Sequence, residues 1–275
     1  MDDSPTGPTA APPGAAPAAA FFDLDKTIIA TSSATAFSRP FMAGGLLTRR
    51  SVLRTAYAQF LYLVGGADEA QTERLRAQLS RMVTGWDVAQ VSSIVAETLH
   101  ESIDPAVYAE AVALIEEHHE AGHDVVIVSA SGSEIVEPIA AVLGADHVIA
   151  TRMGVRDGRY TGDIDFYAYG ENKATAIREL AEARGYDLAS SYAYSDSITD
   201  MPMLAAVGHG FAVNPDRALR RVAAERGWGT LSFSRPVALF SLPRPSGRTV
   251  VTAAVLVAVG AVLGWLAWRQ RRRTR

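Results

Sequence analysis

At 275 residues with 48% hydrophobic content, the chain is long enough for one large domain or a core carrying an insert. A net charge of −4 excludes the basic field that a nucleic-acid backbone requires, so no nucleic-acid partner is expected. The absence of cysteine excludes disulfides, thiolate metal sites and a cysteine nucleophile, which leaves oxygen and nitrogen groups to carry any chemistry.

Residues 1–19 are crowded with Pro, Ala and Gly and are expected to be disordered; they lack the basic start and long apolar run of a secretory signal. Three short apolar runs then end in polar residues: AAAFF before Asp23, DVVIVSAS at 124–131 and SYAYSD at 191–196. They read as buried parallel strands. One helical stripe, Val107, Ala111, Leu114 and Ile115, is predicted to start at Asp104-Pro105 and to stop at Gly122. Another comprises Ala174, Ile177, Leu180 and Ala181. Strands alternating with amphipathic helices predict an open α/β sheet whose site lies beyond the carboxyl ends of its strands.

The stretch between Thr27 and Asp124 is too long for one crossover helix and carries further helical patterns at 49–64, 68–84 and 87–100. It predicts a helical cap at 37–103 inserted into a core made of 20–36 and 104–232. Asp157-Gly158 between alternating segments predicts a hairpin flap. A linker at 233–248 leads to Thr249–Trp268, an uncharged run that as a helix would span roughly 30 Å, the thickness of a bilayer core. Trp265, Trp268 and the basic tail 269–275 flank it as interface anchors. A single-pass C-terminal transmembrane helix is therefore expected, with the folded domain on the cytoplasmic side. Gly260 and Gly264 have the spacing of a helix-packing pair, a candidate homodimer contact.

The sharpest feature is Asp23-Leu24-Asp25-Lys26-Thr27, two carboxylates spaced by two at the end of an apolar strand. Alone the pattern also suits a turn or cap. Ser129 at the end of the second strand, Lys173 opening a helix after Gly170, and Asp196 and Asp200 around the end of the third strand change its weight. A carboxylate can attack phosphorus, a second can serve the leaving oxygen, and a serine and a lysine can offset charge on the transferring group. Carboxylates converging on one cleft would repel one another unless a divalent cation sat among them, and oxygen ligands beside a phosphate suit Mg²⁺.

On these residues the chain resembles the haloacid dehalogenase-like superfamily, specifically the branch containing phosphoserine phosphatases, over about residues 20–230. The resemblance implies Asp23 as nucleophile and metal ligand, and Asp25 as acid/base that also gives its backbone carbonyl to the metal. It implies Ser129 and Lys173 as holders of the phosphoryl oxygens, Asp196 as metal ligand and Asp200 as its support, with Thr27 beside the substrate and Mg²⁺ as cofactor. Arg81 in the cap is a candidate for a substrate carboxylate or phosphate. Ser32 stands where those enzymes place an acidic residue for the substrate amino group, Ala130-Ser131 replaces the usual glycines, and Thr199 replaces an Asn. The expected function is hydrolysis of a small, phosphoserine-like phosphomonoester. A membrane lipid phosphate is an alternative, given the apolar stretch 52–64 and the anchor; a silent phosphate-binding module is another. Retention of Asp25 argues against halide displacement, where no leaving oxygen needs a proton. The histidines in EEHHEAGHD read as solvated residues at a helix end.

Overall fold

The computed structural model describes residue 8 and residues 16–48, 77 and 80–236. The expected helix at 49–64, most of that at 68–84, the expected membrane segment 249–268 with Gly260 and Gly264, and the basic tail lie outside the described residues. Among the described residues no helix is long and apolar enough to cross a membrane.

Seven strands form one sheet in the order β4-β3-β2-β1-β5-β6-β7. β1 is Ala19–Asp23, β2 Asp124–Gly132, β3 His147–Arg156, β4 Arg159–Phe166, β5 Tyr192–Ser195, β6 His209–Val213 and β7 Gly229–Leu231. All neighbours pair in parallel except β3 and β4, the predicted hairpin, which turns through Asp157 and Gly158, both at positive φ.

The strands are apolar on both faces because both faces are covered. Alternate residues divide between two cores: Ala20, Phe22, Val125, Ile127 and Tyr194 join one, while Ala19, Phe21, Val126, Val128 and Ala193 join the other. The first core is covered by α3 (Val88–Ile103), α4 (Ala109–Glu120) and α5 (Ser133–Val142), with α1 (Ser33–Ala36) and α2 (Ser38–Ala43) beside them. The second is covered by α6 (Glu171–Arg184), α7 (Met201–Ala205) and α8 (Arg217–Arg226). α3 is the third helix expected for the cap; Val91, Val95 and Leu99 are buried, and the Asp87 carboxylate caps its first turn by accepting from the Gln90 amide at 3.1 Å.

Two readings are corrected. Asp104-Pro105 opens a short 3₁₀ turn (Asp104–Ala106), and the α-helix starts only at Ala109. Val107 and Tyr108 stay extended because their backbone pairs with the loop after β1: the Tyr108 amide donates to the Ile28 carbonyl at 2.9 Å. The histidines of EEHHEAGHD are also not all solvated, since His118 and His123 are buried. The two Nδ1 atoms lie 2.9 Å apart, and His118 Nε2 lies 2.8 Å from the Tyr194 hydroxyl, which ties α4 to β5, the neighbour of the central strand β1.

Burial, reinforced by His123 and His119, lowers the His118 pKa to about 3. Its folded value is below its unfolded one, so the stability it contributes is full above pH ~6.5 and is lost as pH falls towards 3, by roughly 1.4 kcal/mol per unit. Thermal melts between pH 7 and 4 are expected to show a shallower acid decline for His118→Gln than for the parent chain. Parallel declines would exclude a neutral buried imidazole.

Candidate active site

β1 runs out at Asp23, level with Val128 of β2, and Phe22 is level with Tyr194 of β5. Asp23, Ser129 and Ser195 therefore emerge side by side at the carboxyl edge of the three central strands, where an open α/β sheet leaves a crevice. Beyond β1 the chain turns tightly, with the Ile28 and Ile29 amides donating to the Leu24 carbonyl and Lys26 at φ 65°, a left-handed conformation uncommon for a side chain of that size. That turn carries Asp25 and Thr27 back towards Asp23.

Asp23 is 6% exposed, and each of its carboxylate oxygens accepts a bond: Oδ1 from Lys173 Nζ at 2.7 Å, Oδ2 from Thr27 Oγ1 at 3.1 Å. Lys173, 2% exposed, also donates to Asp200 Oδ2 at 2.8 Å, and Ser195 Oγ donates to the same oxygen at 2.7 Å. Gly170 at φ 56° lets the chain turn into α6 so that Lys173 enters from its first turn. A cation there opposes the helix dipole, and the two carboxylates more than offset this. Burial also disfavours its charge, yet Asp200 and Asp23 hold its pKa above the usual lysine range. For Asp23, burial pushes the pKa upward, with Asp200 and Asp196 adding to the effect and Lys173 opposing it.

Asp25 is held from the other side. Ser33 donates to it twice, from its amide to Oδ1 at 2.9 Å and from Oγ to Oδ2 at 3.3 Å, while Ser131 Oγ lies 3.4 Å from Oδ2 and 2.7 Å from Ser33 Oγ. Burial raises its pKa against these hydrogen bonds and Lys173, and a carboxyl inclined to keep its proton suits a general acid. Ser129 is buried, and its Oγ accepts from the Ser131 amide at 3.2 Å.

Asp196 follows β5. Burial first, then Asp200 and Asp216, raise its pKa to about 6 while Lys26 pulls the other way. The Asp216 amide donates to the Asp196 carbonyl at 2.8 Å, and Asp216 Oδ2 accepts from the Ile198 amide at 3.0 Å. Asp216 also caps α8. The Asn214-Pro215-Asp216 loop thus both borders the acidic loop and starts a helix. Arg81 is not brought to this cluster: it is exposed, and its Nε donates to the Ala77 carbonyl at 2.9 Å.

Sequence reasoning missed Ser33 and Ser195 and noted Ser131 only as a departure from glycine. Ser32 holds the N-cap of α1 by accepting from the Thr35 amide, which presents the Ser33 amide to Asp25. A Ser-Ser pair ahead of a short helical pattern was the available signal.

Four carboxylates, Asp23, Asp25, Asp196 and Asp200, here face Lys173 and Lys26, an excess of negative charge that suits a divalent cation. Among the described residues no three acidic or histidine side chains converge into a ligand cage. An ion would rest on the Asp23 and Asp196 carboxylates with backbone oxygen, a sparse set that fits Mg²⁺, which keeps several of its waters.

Residues 20–205 match the family model of haloacid dehalogenase-like hydrolases. A protein of Streptomyces azureus named for inhibition of morphological differentiation is 60% identical over 260 residues, 92% of this chain and 94% of its own. A probable phosphatase of Mycobacterium tuberculosis is 58% identical over 273 residues, 95% of each chain. A phosphoserine phosphatase of the same species is 35% identical over 265 residues, 95% of this chain and 84% of its own.

Proposed function

We propose that this chain, which belongs to the haloacid dehalogenase-like hydrolases and is a phosphatase of that family, hydrolyses a small phosphate monoester through an aspartyl-phosphate on Asp23, with Mg²⁺ as cofactor. The observation that carries this reading is the placement of two carboxylates with opposite support. Asp23 is fixed by a buried lysine, and Asp25 sits in a hydroxyl cradle that leaves it inclined to hold a proton.

Lys173 and Thr27 leave the Asp23 carboxylate little rotational freedom, so one oxygen can be presented to phosphorus with the orientation already set. An Asp23 oxygen–phosphorus bond forms as the ester oxygen–phosphorus bond breaks. Asp25 gives its proton to the departing alkoxide, and its carboxylate then takes a proton from the water that attacks the acyl-phosphate. The Lys173 ammonium and the Ser129 hydroxyl offset charge on the phosphoryl oxygens. Bound Mg²⁺ would screen the carboxylates from the phosphate and polarise the phosphoryl group, held by the carboxylates of Asp23 and Asp196 and the carbonyl of Asp25.

Phosphate release by the full-length chain is expected in Mg²⁺ and to fall at least ~100-fold in EDTA. In the same preparation the activity should sediment with membranes, through residues 249–268. Undiminished release in EDTA would sink the metal assignment; activity confined to the soluble fraction would sink the anchor alone.

A further inference from the structure

A cavity of about 240 Å³ is lined by Ser131, whose hydroxyl lies 3.4 Å from Asp25 Oδ2. It shares a wall with the acid: Ser131 lines it, as does Ala34, the neighbour of Ser33, and both serines bond the Asp25 carboxyl. An alcohol leaving with the Asp25 proton would depart into this space. Its size is below the roughly 300–1,000 Å³ of pockets for drug-sized ligands, which suits a modest organic group.

Among the described residues the walls come from three sources. The end of β2 and the start of α5 supply one, the cap supplies Trp86 and Val91, and the hairpin supplies Met153 and Ile164. Cap and hairpin are joined by backbone hydrogen bonds: the Gly85 amide donates to the Tyr160 carbonyl at 2.8 Å, the Tyr160 amide to the Trp86 carbonyl at 3.1 Å, and the Val88 amide to the Gly158 carbonyl at 3.0 Å. Asp87 and Arg159 pair beside them at 3.6 Å. This junction of cap and hairpin is therefore held in place before a ligand enters, which lowers the ordering cost of binding.

Its chemistry is one-sided. Among the described residues lining it there is no lysine, arginine or histidine, and the single carboxylate, Glu134, accepts a hydrogen bond from the buried Tyr160 hydroxyl. Among the described lining residues the carboxylate of an amino-acid alcohol would meet no cation, and an unpaired buried charge is strongly disfavoured. Ser32, at the position compared with an acidic amino-group binder, caps α1 instead. An apolar alcohol would bury its surface against the aromatic and aliphatic side chains at no such cost.

We infer that this cavity is the leaving-group pocket and that it selects phosphate monoesters of uncharged, apolar alcohols over amino-acid phosphates. The inference rests on the phosphatase reading and deepens it. A hydrocarbon chain and an aromatic ring share the required chemistry, so both are tested.

The full-length chain in Mg²⁺ is assayed for phosphate release from hexyl phosphate, 1-naphthyl phosphate and phosphoserine. At least one apolar ester is expected to exceed phosphoserine in kcat/KM by ~100-fold, and the ratio of hexyl to naphthyl tells chain from ring. Met153→Lys and, separately, Ile164→Lys should each lower the apolar ester's kcat/KM by at least ~10-fold while leaving that for phosphoserine equal or higher. The second variant covers failure of the first to fold, judged by its melt. Phosphoserine turned over as well as or better than both apolar esters by the parent chain would overturn the inference and leave the phosphatase reading standing. So would equal losses on all three substrates in both folded variants. Release from none of the three would overturn the phosphatase reading as well.

Discussion

Asp23→Asn is expected to lower turnover by at least ~10⁴-fold while the protein stays folded. The amide keeps the shape of the carboxyl and can still accept from Thr27, and Lys173 keeps Asp200 as a partner, so the sheet edge has no reason to collapse. What is lost is the proposed nucleophile, because an amide oxygen lacks the charge to displace an alkoxide from phosphorus. Asp23 also crowds Asp200 and Asp196, so its neutralisation relieves repulsion, and the metal-free variant should melt no lower than the parent chain. The rise in melting temperature on adding Mg²⁺ should shrink, since one of the carboxylates proposed to hold it is gone. Phosphate release and melts with and without Mg²⁺ check all three expectations. More than ~1% residual turnover by a preparation free of parent chain would remove Asp23 from the nucleophile's role.

How far such a site can be read from sequence depends on how local its determinants are. Asp23, Asp25 and Thr27 lie within five residues at the end of a strand whose apolar run is legible, and Lys173 follows a glycine that opens a helix. Local pattern suffices there. Ser33 and Ser131 are 98 residues apart and meet only because β1 and β2 pair in one register, so their shared role over Asp25 has no local signature. His118 was misread for a related reason. Position near a helix end predicts exposure when the flanking turn faces water, but α4 lies along the sheet and directs that face at Tyr194. The late start of α4 likewise follows from backbone pairing with the loop after β1, a long-range contact that outweighs the cap and proline signals at Asp104-Pro105. The apolar chamber beside Asp25 draws on the cap, the hairpin and β2 together, so periodicity in any one of them conceals it.

Lys173→Met tests whether one side chain serves both stability and chemistry. In the parent chain the ammonium bonds two buried carboxylates, Asp23 and Asp200, and breaking such a pair from one side commonly costs about 3–5 kcal/mol because the remaining charges are left buried. The pH dependence separates this from a packing defect. The folded-state pKa of Lys173 is raised, so its contribution is complete below the unfolded lysine value and persists across the neutral range. Without it the pKa of Asp23, already raised by burial, must climb further. A carboxyl with a raised folded pKa favours the folded state at low pH and loses that advantage as pH rises through the folded value; the parent Asp23 already stands at about 8 and the variant's stands higher, so Lys173→Met should recover stability relative to the parent as pH falls from about 9.5 to about 7.5. A methionine that merely packed badly would show a constant deficit in urea melts at the two pH values. The double variant with Asp200→Asn should cost less than the sum of the single variants, because the second change removes a charge that the first left unpaired. Strict additivity would mean that the Lys173–Asp200 contact contributes nothing of its own, leaving Asp23 as the lysine's only energetically significant partner.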